Sequence, residues 1–200
     1  MNAAGVISPS LPAPNRREIL RYMGCRSSSD ELEALISKGL AECDGKICAR
    51  IAFREFDICT LDGVLDLGFT RVESHDLSHA LNGCEKILLF GATVGIEIDR
   101  LILKYGKISP SIALCIQARG AERIESACDV FCNEMREKYT RDGYSLRPRF
   151  SAGYGDLTLS VQRDIFAALS LEKNIGLTLN DSLLMSPTKS VTAIVGIKKT

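Results

Sequence analysis

Arg147-Pro148-Arg149-Phe150-Ser151-Ala152-Gly153-Tyr154-Gly155-Asp156 sets two guanidiniums and a phenol around a pair of glycines. Proline holds the residue before it extended, and the glycines allow backbone angles and close approaches that a side chain forbids. Immediately downstream Leu157, Val161, Ile165, Phe166 and Leu169 recur at helical spacing. Asp156 is then the expected N-cap of a helix that the glycine loop opens, a geometry that favours anionic ligand groups. The plainer reading of the same residues is a tight turn, with Tyr154 a half-buried anchor and the arginines in solvent.

Further along the chain, Ile175-Gly176-Leu177-Thr178-Leu179 and Val191 to Ile197 are apolar and β-branched, which predicts central strands. The connection between them is unusually apolar: Leu183, Leu184 and Met185 either pack beneath it or present a rim to a partner. Before the glycine loop, Ser109-Pro110 starts a helix running to about Tyr139, with a stripe of Ile124, Ala127, Cys128, Phe131 and Met135 and a possible kink site at Gly120. Glu125 and Asp129 lie one turn apart on it and repel unless a cation or solvent relieves them. They are either a solvated face or a carboxylate pair that addresses a cationic ligand. Lys86 to Phe90 predicts a buried strand entering Gly91-Ala92-Thr93-Val94-Gly95, then a helix carrying Ile98, Leu101 and Ile102. That turn matches neither nucleotide-binding glycine pattern, and close strand-to-helix packing accounts for it.

Residues 1–14 carry Pro9, Pro12 and Pro14 and read as an extended arm without strand or helix periodicity. Asn15 and Glu18 form a capping-box-like start to a short helix closed by Gly24, and Asp30 with Glu33 repeats the pattern for a helix striped with Leu32, Leu35, Ile36 and Leu40. From Ile47 to Ile58 the period falls to two, predicting a half-exposed strand, followed by a turn at Asp62-Gly63 and a second antiparallel strand with Leu65, Leu67 and Phe69. Ser74 caps a short helix ending at Gly83, on which His75 and His79 share a face. A metal pair is conceivable there, but no third ligand is evident.

A chain of 200 residues suits one domain, which at this size buries roughly 70% of its unfolded surface. Its formal charge is zero, so no basic field argues for nucleic acid or an anionic membrane. The longest apolar stretch, Ile87 to Ile98, is far short of a membrane span, and no secretory signal pattern opens the sequence; the expected setting is the cytoplasm. The eight cysteines are scattered without a Cys-x-x-Cys and read as reduced core residues.

Arg149 to Asp156 resembles the Arg-x-x-Pro-Gly-Tyr segment of the activation domain of cobalamin-dependent methionine synthase, in the form found in free-standing versions of that domain. Arg17 to Gly24 resembles their opening helix, Gly91 to Gly95 their small-residue turn, and Ile175 to Val191 their Ile-Gly, Leu-Asn, Met-x-Pro and Lys-Ser-Val sequence, so the likeness covers most of residues 15–197. It implies a single α+β domain with a twisted antiparallel sheet flanked by helices. It also implies binding of S-adenosylmethionine, which methylates Co(II) cobalamin after an electron arrives, typically from flavodoxin.

By the family motif, Arg149 grips the methionine carboxylate and Ala152 and Gly153 bring backbone to the ligand. Tyr154 stands between sulfonium and corrin, and Glu125, with Asp129 a turn away, faces the positive sulfonium or amino group. Ala152 stands where the family carries proline, and Asp181 where glutamate is common. Because synthase modules for homocysteine, folate and cobalamin are missing from this sequence, the resemblance implies action in trans. The cobalamin would be supplied by the cobalamin-binding module of a methionine synthase or a related corrinoid protein, with a flavodoxin-like reductant. Two other classes remain: a module that clamps a corrinoid protein of another methyl-transfer pathway without S-adenosylmethionine, and a thiol or metal protein built on the cysteines and His75/His79.

Overall fold

Lys86–Thr93 is apolar on both of its faces because helices cover both, and the rest of the fold is arranged about it. The structure, a computed structural model, describes residues 3–25, 29–61 and 63–200. In chain order it comprises β1 (Gly5–Ile7), α1 (Arg16–Tyr22), α2 (Asp30–Cys43), β2 (Arg50–Asp57), β3 (Cys59–Leu61), β4 (Val64–Asp66), β5 (Arg71–Val72) and α3 (His75–Ala80). It continues with β6 (Lys86–Thr93), α4 (Glu97–Ile108), α5 (Pro110–Arg141), β7 (Tyr144–Phe150), α6 (Gln162–Leu169), α7 (Leu171–Ile175), β8 (Thr178–Leu179), β9 (Met185–Ser186) and β10 (Ser190–Lys199).

The main sheet has five antiparallel strands in the order β1-β2-β6-β10-β7. Alternation along the strands divides the core in two. Leu88, Phe90 and Ala92 of β6, with Ala193, Val195 and Ile197 of β10, pack beneath α4 and α5, where Ile98, Ile116 and Phe131 are fully buried. Ile87 and Leu89, with Ile194, face the opposite layer of Leu77 from α3, Ile165 and Leu169 from α6 and Leu171 from α7. The fold is thus α+β, an antiparallel sheet flanked by helices. No helix among the described residues is long and apolar enough to cross a membrane.

Local signals placed several boundaries correctly. The Asn15 side chain accepts from the Arg17 and Glu18 N–H groups at 3.1 and 3.4 Å, and Ser74 Oγ accepts from Leu77 N–H at 3.0 Å. Pro110 opens α5, which runs through Gly120 as one helix. A Cβ at Gly120 would meet Ile98 at 2.7 Å, so this glycine serves the approach of α4 rather than a kink. All eight cysteines are free thiols, and Cys43, Cys115, Cys128 and Cys132 are buried.

Elsewhere the structure departs from the sequence reading. The N-cap of α2 is Ser29, not Asp30, leaving Asp30, Glu31 and Glu33 in the first turn where the helix dipole favours acids. Gly5–Ile7, in the arm read as extended but without strand periodicity, pairs with Ile51–Phe53 as an edge strand too short to display a period. The strand after Gly63 pairs not with β2 but with β3 and β5, in a separate three-stranded sheet; Asp62 of the expected turn lies outside the described residues. Gly91 to Thr93 continue β6 instead of turning. Finally, Ile175 ends α7 and Thr178–Leu179 pair only with β9, so this run is no central strand. Its apolarity comes from packing in the second core layer, where Ile175 and Leu177 are fully buried; a short apolar run cannot by itself separate the two cases.

Candidate functional site

β7 is an outer strand of the main sheet, and its last residues present opposite faces. Arg149 pairs with Val195 across the ladder and Phe150 with Ile194. Alternation sends the Arg149 side chain toward α5, where Nη2 donates to Glu125 Oε2 and Asp129 Oδ1, each at 3.1 Å. Glu125 and Asp129, whose one-turn spacing is repulsive on an isolated helix, are thereby bridged by a single cation. The bridge leaves one uncompensated negative charge among the three groups. Burial opposes the Arg149 charge, but Cys128, Glu125 and Asp129 outweigh it and hold its proton more firmly than usual. The Cys128 thiol behind it is pushed up to about 12 by burial, so it packs there as a neutral group.

Phe150 points into the opposite layer and forms the bed of Tyr154, whose ring meets it edge-on at 6.0 Å while remaining 72% exposed. The turn between them is closed by its own backbone: Gly153 N–H donates to Leu157 O at 2.9 Å and Tyr154 N–H to Ser151 O at 3.2 Å. Gly153 has φ +85°, a left-handed conformation that glycine adopts freely. Ala152 is buried beneath the turn, and Ser151 Oγ donates to Thr192 O at 2.8 Å, pinning the loop to β10.

The structure therefore brings together Arg149, Glu125 and Asp129 as one cluster, and Ala152, Gly153 and Tyr154 as one turn beside it. No hydrogen bond or ring contact joins Arg149 to Tyr154 among the described residues. A groove of about 500 Å³ lies beside Glu125 and Asp129, lined also by Asn15, Glu18 and Tyr22 of the first helix region. A smaller hollow of about 200 Å³ adjoins Arg149, Asp129 and Val195. The larger hollow of about 590 Å³, between α6, α7 and β8, touches none of these residues.

Asp156 is the main correction. Its own helix starts at Gln162 after a 3₁₀ turn at Leu159–Val161 and takes no side-chain cap, so the loop does not open a helix onto a ligand. Asp156 instead accepts from Ser74 Oγ, from His75 N–H at 2.7 Å and from Asp76 N–H at 3.3 Å, completing the N-terminus of α3. The Ser74 contact first, then the backbone donors, hold its carboxyl below the ordinary carboxylate range. This link spans 82 positions and leaves no local trace in the sequence. The Asp156 site thus explains His75 and Asp76 as a helix start. Phe150 as the bed for Tyr154 was also missed, although alternation from Arg149 would have placed it on the opposite face.

No family model matches the sequence, and no curated protein matches it. By three-dimensional comparison the chain is similar to a solved structure of the MetH reactivation domain bound to AdoHcy, with a TM-score of 0.66 at 15% identity, over 97% of this chain and 78% of that one. The fold is that of the MetH reactivation domain. In this MetH reactivation fold the Arg149 cluster occupies the junction of the outer strand and the long helix, and the Gly153–Tyr154 turn lies just beyond the strand's end.

Proposed function

We propose that this chain is a free-standing counterpart of the MetH reactivation domain that acts in trans, in the cytoplasm, on a cobalamin-dependent methionine synthase. It would bind S-adenosylmethionine and offer it to Co(II) cobalamin held by the partner, with an electron from a flavodoxin-like protein. The observation that carries the reading is the Arg149–Glu125–Asp129 cluster, set beside the Gly153–Tyr154 turn on this fold.

The residues fit the head of that ligand. Its zwitterion carries one carboxylate and one ammonium, and exchange with the cluster breaks one ion pair and forms two. The ligand carboxylate takes a place on Arg149, a guanidinium suited to planar anions, and the released Glu125 or Asp129 takes the ammonium. The surplus negative charge of the cluster favours the sulfonium as well. Backbone at Ala152 and Gly153 lies alongside, and Tyr154 projects into solvent, on the side from which a corrin could approach. The bound donor supplies an electrophilic methyl group; the chain's share is to hold and orient it.

The test is methylcobalamin recovery from the Co(II) synthase, followed by absorbance. Recovery should require this chain, S-adenosylmethionine and a reductant together, and equal recovery without the chain would sink the reading. Arg149→Ala should weaken S-adenosylmethionine binding by roughly 10- to 100-fold in calorimetry. A second reading is favoured by the fact that Arg149 already has two carboxylate partners: the chain clamps a corrinoid protein of another methyl-transfer pathway without this ligand. It predicts calorimetric silence with S-adenosylmethionine alongside intact binding to the corrinoid protein.

A further inference from the structure

Arg119, Glu122 and Arg123 recur at i, i+3 and i+4 on α5 and all three are buried, at 8%, 4% and 3% exposure. Two of them are accounted for. Arg123 is ion-paired with Glu122 and donates to Pro12 O at 2.6 Å, while Glu122 Oε1 accepts from Asn15 N–H at 3.0 Å. The pair thus ties the proline-bearing arm to the helix.

Arg119 is different. Neither its Nε nor its Nη1 has a hydrogen-bond partner, and no carboxylate among the described residues lies within ion-pairing distance. Burial, and then the neighbouring Arg123 charge, lower its hold on its proton. A guanidinium cannot escape this situation by becoming neutral at ordinary pH, so a buried one short of acceptors is a standing demand for an anion.

Space for that anion lies alongside. Arg119 and Arg123 line an open cavity of about 290 Å³ together with Pro9, Leu11 and Pro12 of the arm and with Ile47 and Ala49. Asp44 lies at its rim, exposed and making no ion pair with Arg119. We propose that this cavity is a binding site for a compact organic anion, a carboxylate or phosphate head on a small apolar body, with Arg119 as the receiving cation and the proline arm as the wall that closes over it. The walls argue against a bare inorganic ion, which would gain nothing from proline and isoleucine. The site shares Pro12 and Arg123 with the groove beside Glu125 and Asp129, but does not depend on the reading of the Arg149 cluster.

Benzoate, phenyl phosphate and the neutral benzyl alcohol, titrated into the full chain by calorimetry and thermal denaturation, test it. At least one of the two anions should bind with a dissociation constant below about 1 mM and raise Tm, and which one binds identifies the head group. Benzyl alcohol should bind at least tenfold more weakly, by about the worth of a charge-assisted hydrogen bond. Arg119→Gln should abolish the difference between anion and alcohol. Should that variant fail to fold, Asp44→Asn at the exposed rim serves instead, and should tighten anion binding roughly twofold by removing a like charge. Absence of anion binding, equal binding of the neutral analogue, or tighter-than-wild-type binding by Arg119→Gln would each overturn the proposal. So would unchanged or weakened anion binding in Asp44→Asn.

Discussion

Two glycine-bearing segments lie at strand ends in this molecule, the first finishing β6 and the second following β7, yet their leading glycines do opposite things. In Gly91-Ala92-Thr93-Val94-Gly95 every residue is buried, and Gly91 is small because Leu171 packs where its Cβ would be, at 2.7 Å. In Gly153-Tyr154-Gly155 every residue is exposed, both glycines have positive φ, and the tyrosine between them is turned out to solvent. Gly91 spares volume for a packed neighbour, whereas Gly153 permits a backbone shape. The lesson is that a glycine near a strand end can be required by its neighbours or by its own backbone angle, and the sequence alone does not tell the two apart.

Substitutions can break or sharpen that contrast. Gly91→Val forces a branched side chain into Leu171 and should cost about 2–3 kcal/mol, a drop in Tm of roughly 5–10 °C by calorimetry. Gly153→Ala meets only a positive φ and Leu159 Cδ1 at 3.1 Å, and should cost about 1–2 kcal/mol in urea denaturation. If the two variants are equally unstable, the division into packing and shape is wrong.

Smaller still is the pH effect at Asp156. Because its carboxyl is held below the ordinary range in the folded chain, the stabilisation of α3 is fully present above the unfolded value near about pH 4 and is lost as pH falls through the folded one. Amide exchange at His75 and Asp76 should accelerate in that window while Leu88 in β6 stays protected. Tyr154→Ala, at the exposed turn, should move stability by less than about 0.5 kcal/mol while depressing cobalamin reactivation. A large stability loss there would mean the ring is a structural anchor after all.

How much of this was legible follows from the range of the interactions involved. Caps at Asn15 and Ser74, the Pro110 helix start and the apolar run of β10 are set by the residues themselves and neighbours within a turn, and the sequence displays them directly. The charged cluster was half legible: Glu125 and Asp129 share a face by spacing, and Arg149 was marked by its motif, but only the fold brings the guanidinium to both carboxylates, 24 and 20 positions away. Asp156 misled because an aspartate before an apolar helical stripe is a local capping signal, and a distant helix start claimed it instead. The burial of Arg119, Glu122 and Arg123 had a visible sign, their shared helical face, but their partners in the arm did not.

Pro148 sits in β7 opposite the register shift between Val195 and Ile197, on the outermost strand of the sheet. Lacking an N–H, it interrupts the row of donors that an incoming strand would need, and β1 at the other margin is only three residues long. Both features blunt the margins against lengthening by another polypeptide in the manner of a growing ribbon. Any macromolecule that visits the Arg149 side has to be told apart by charge and shape, which leaves recognition there open to tuning one residue at a time.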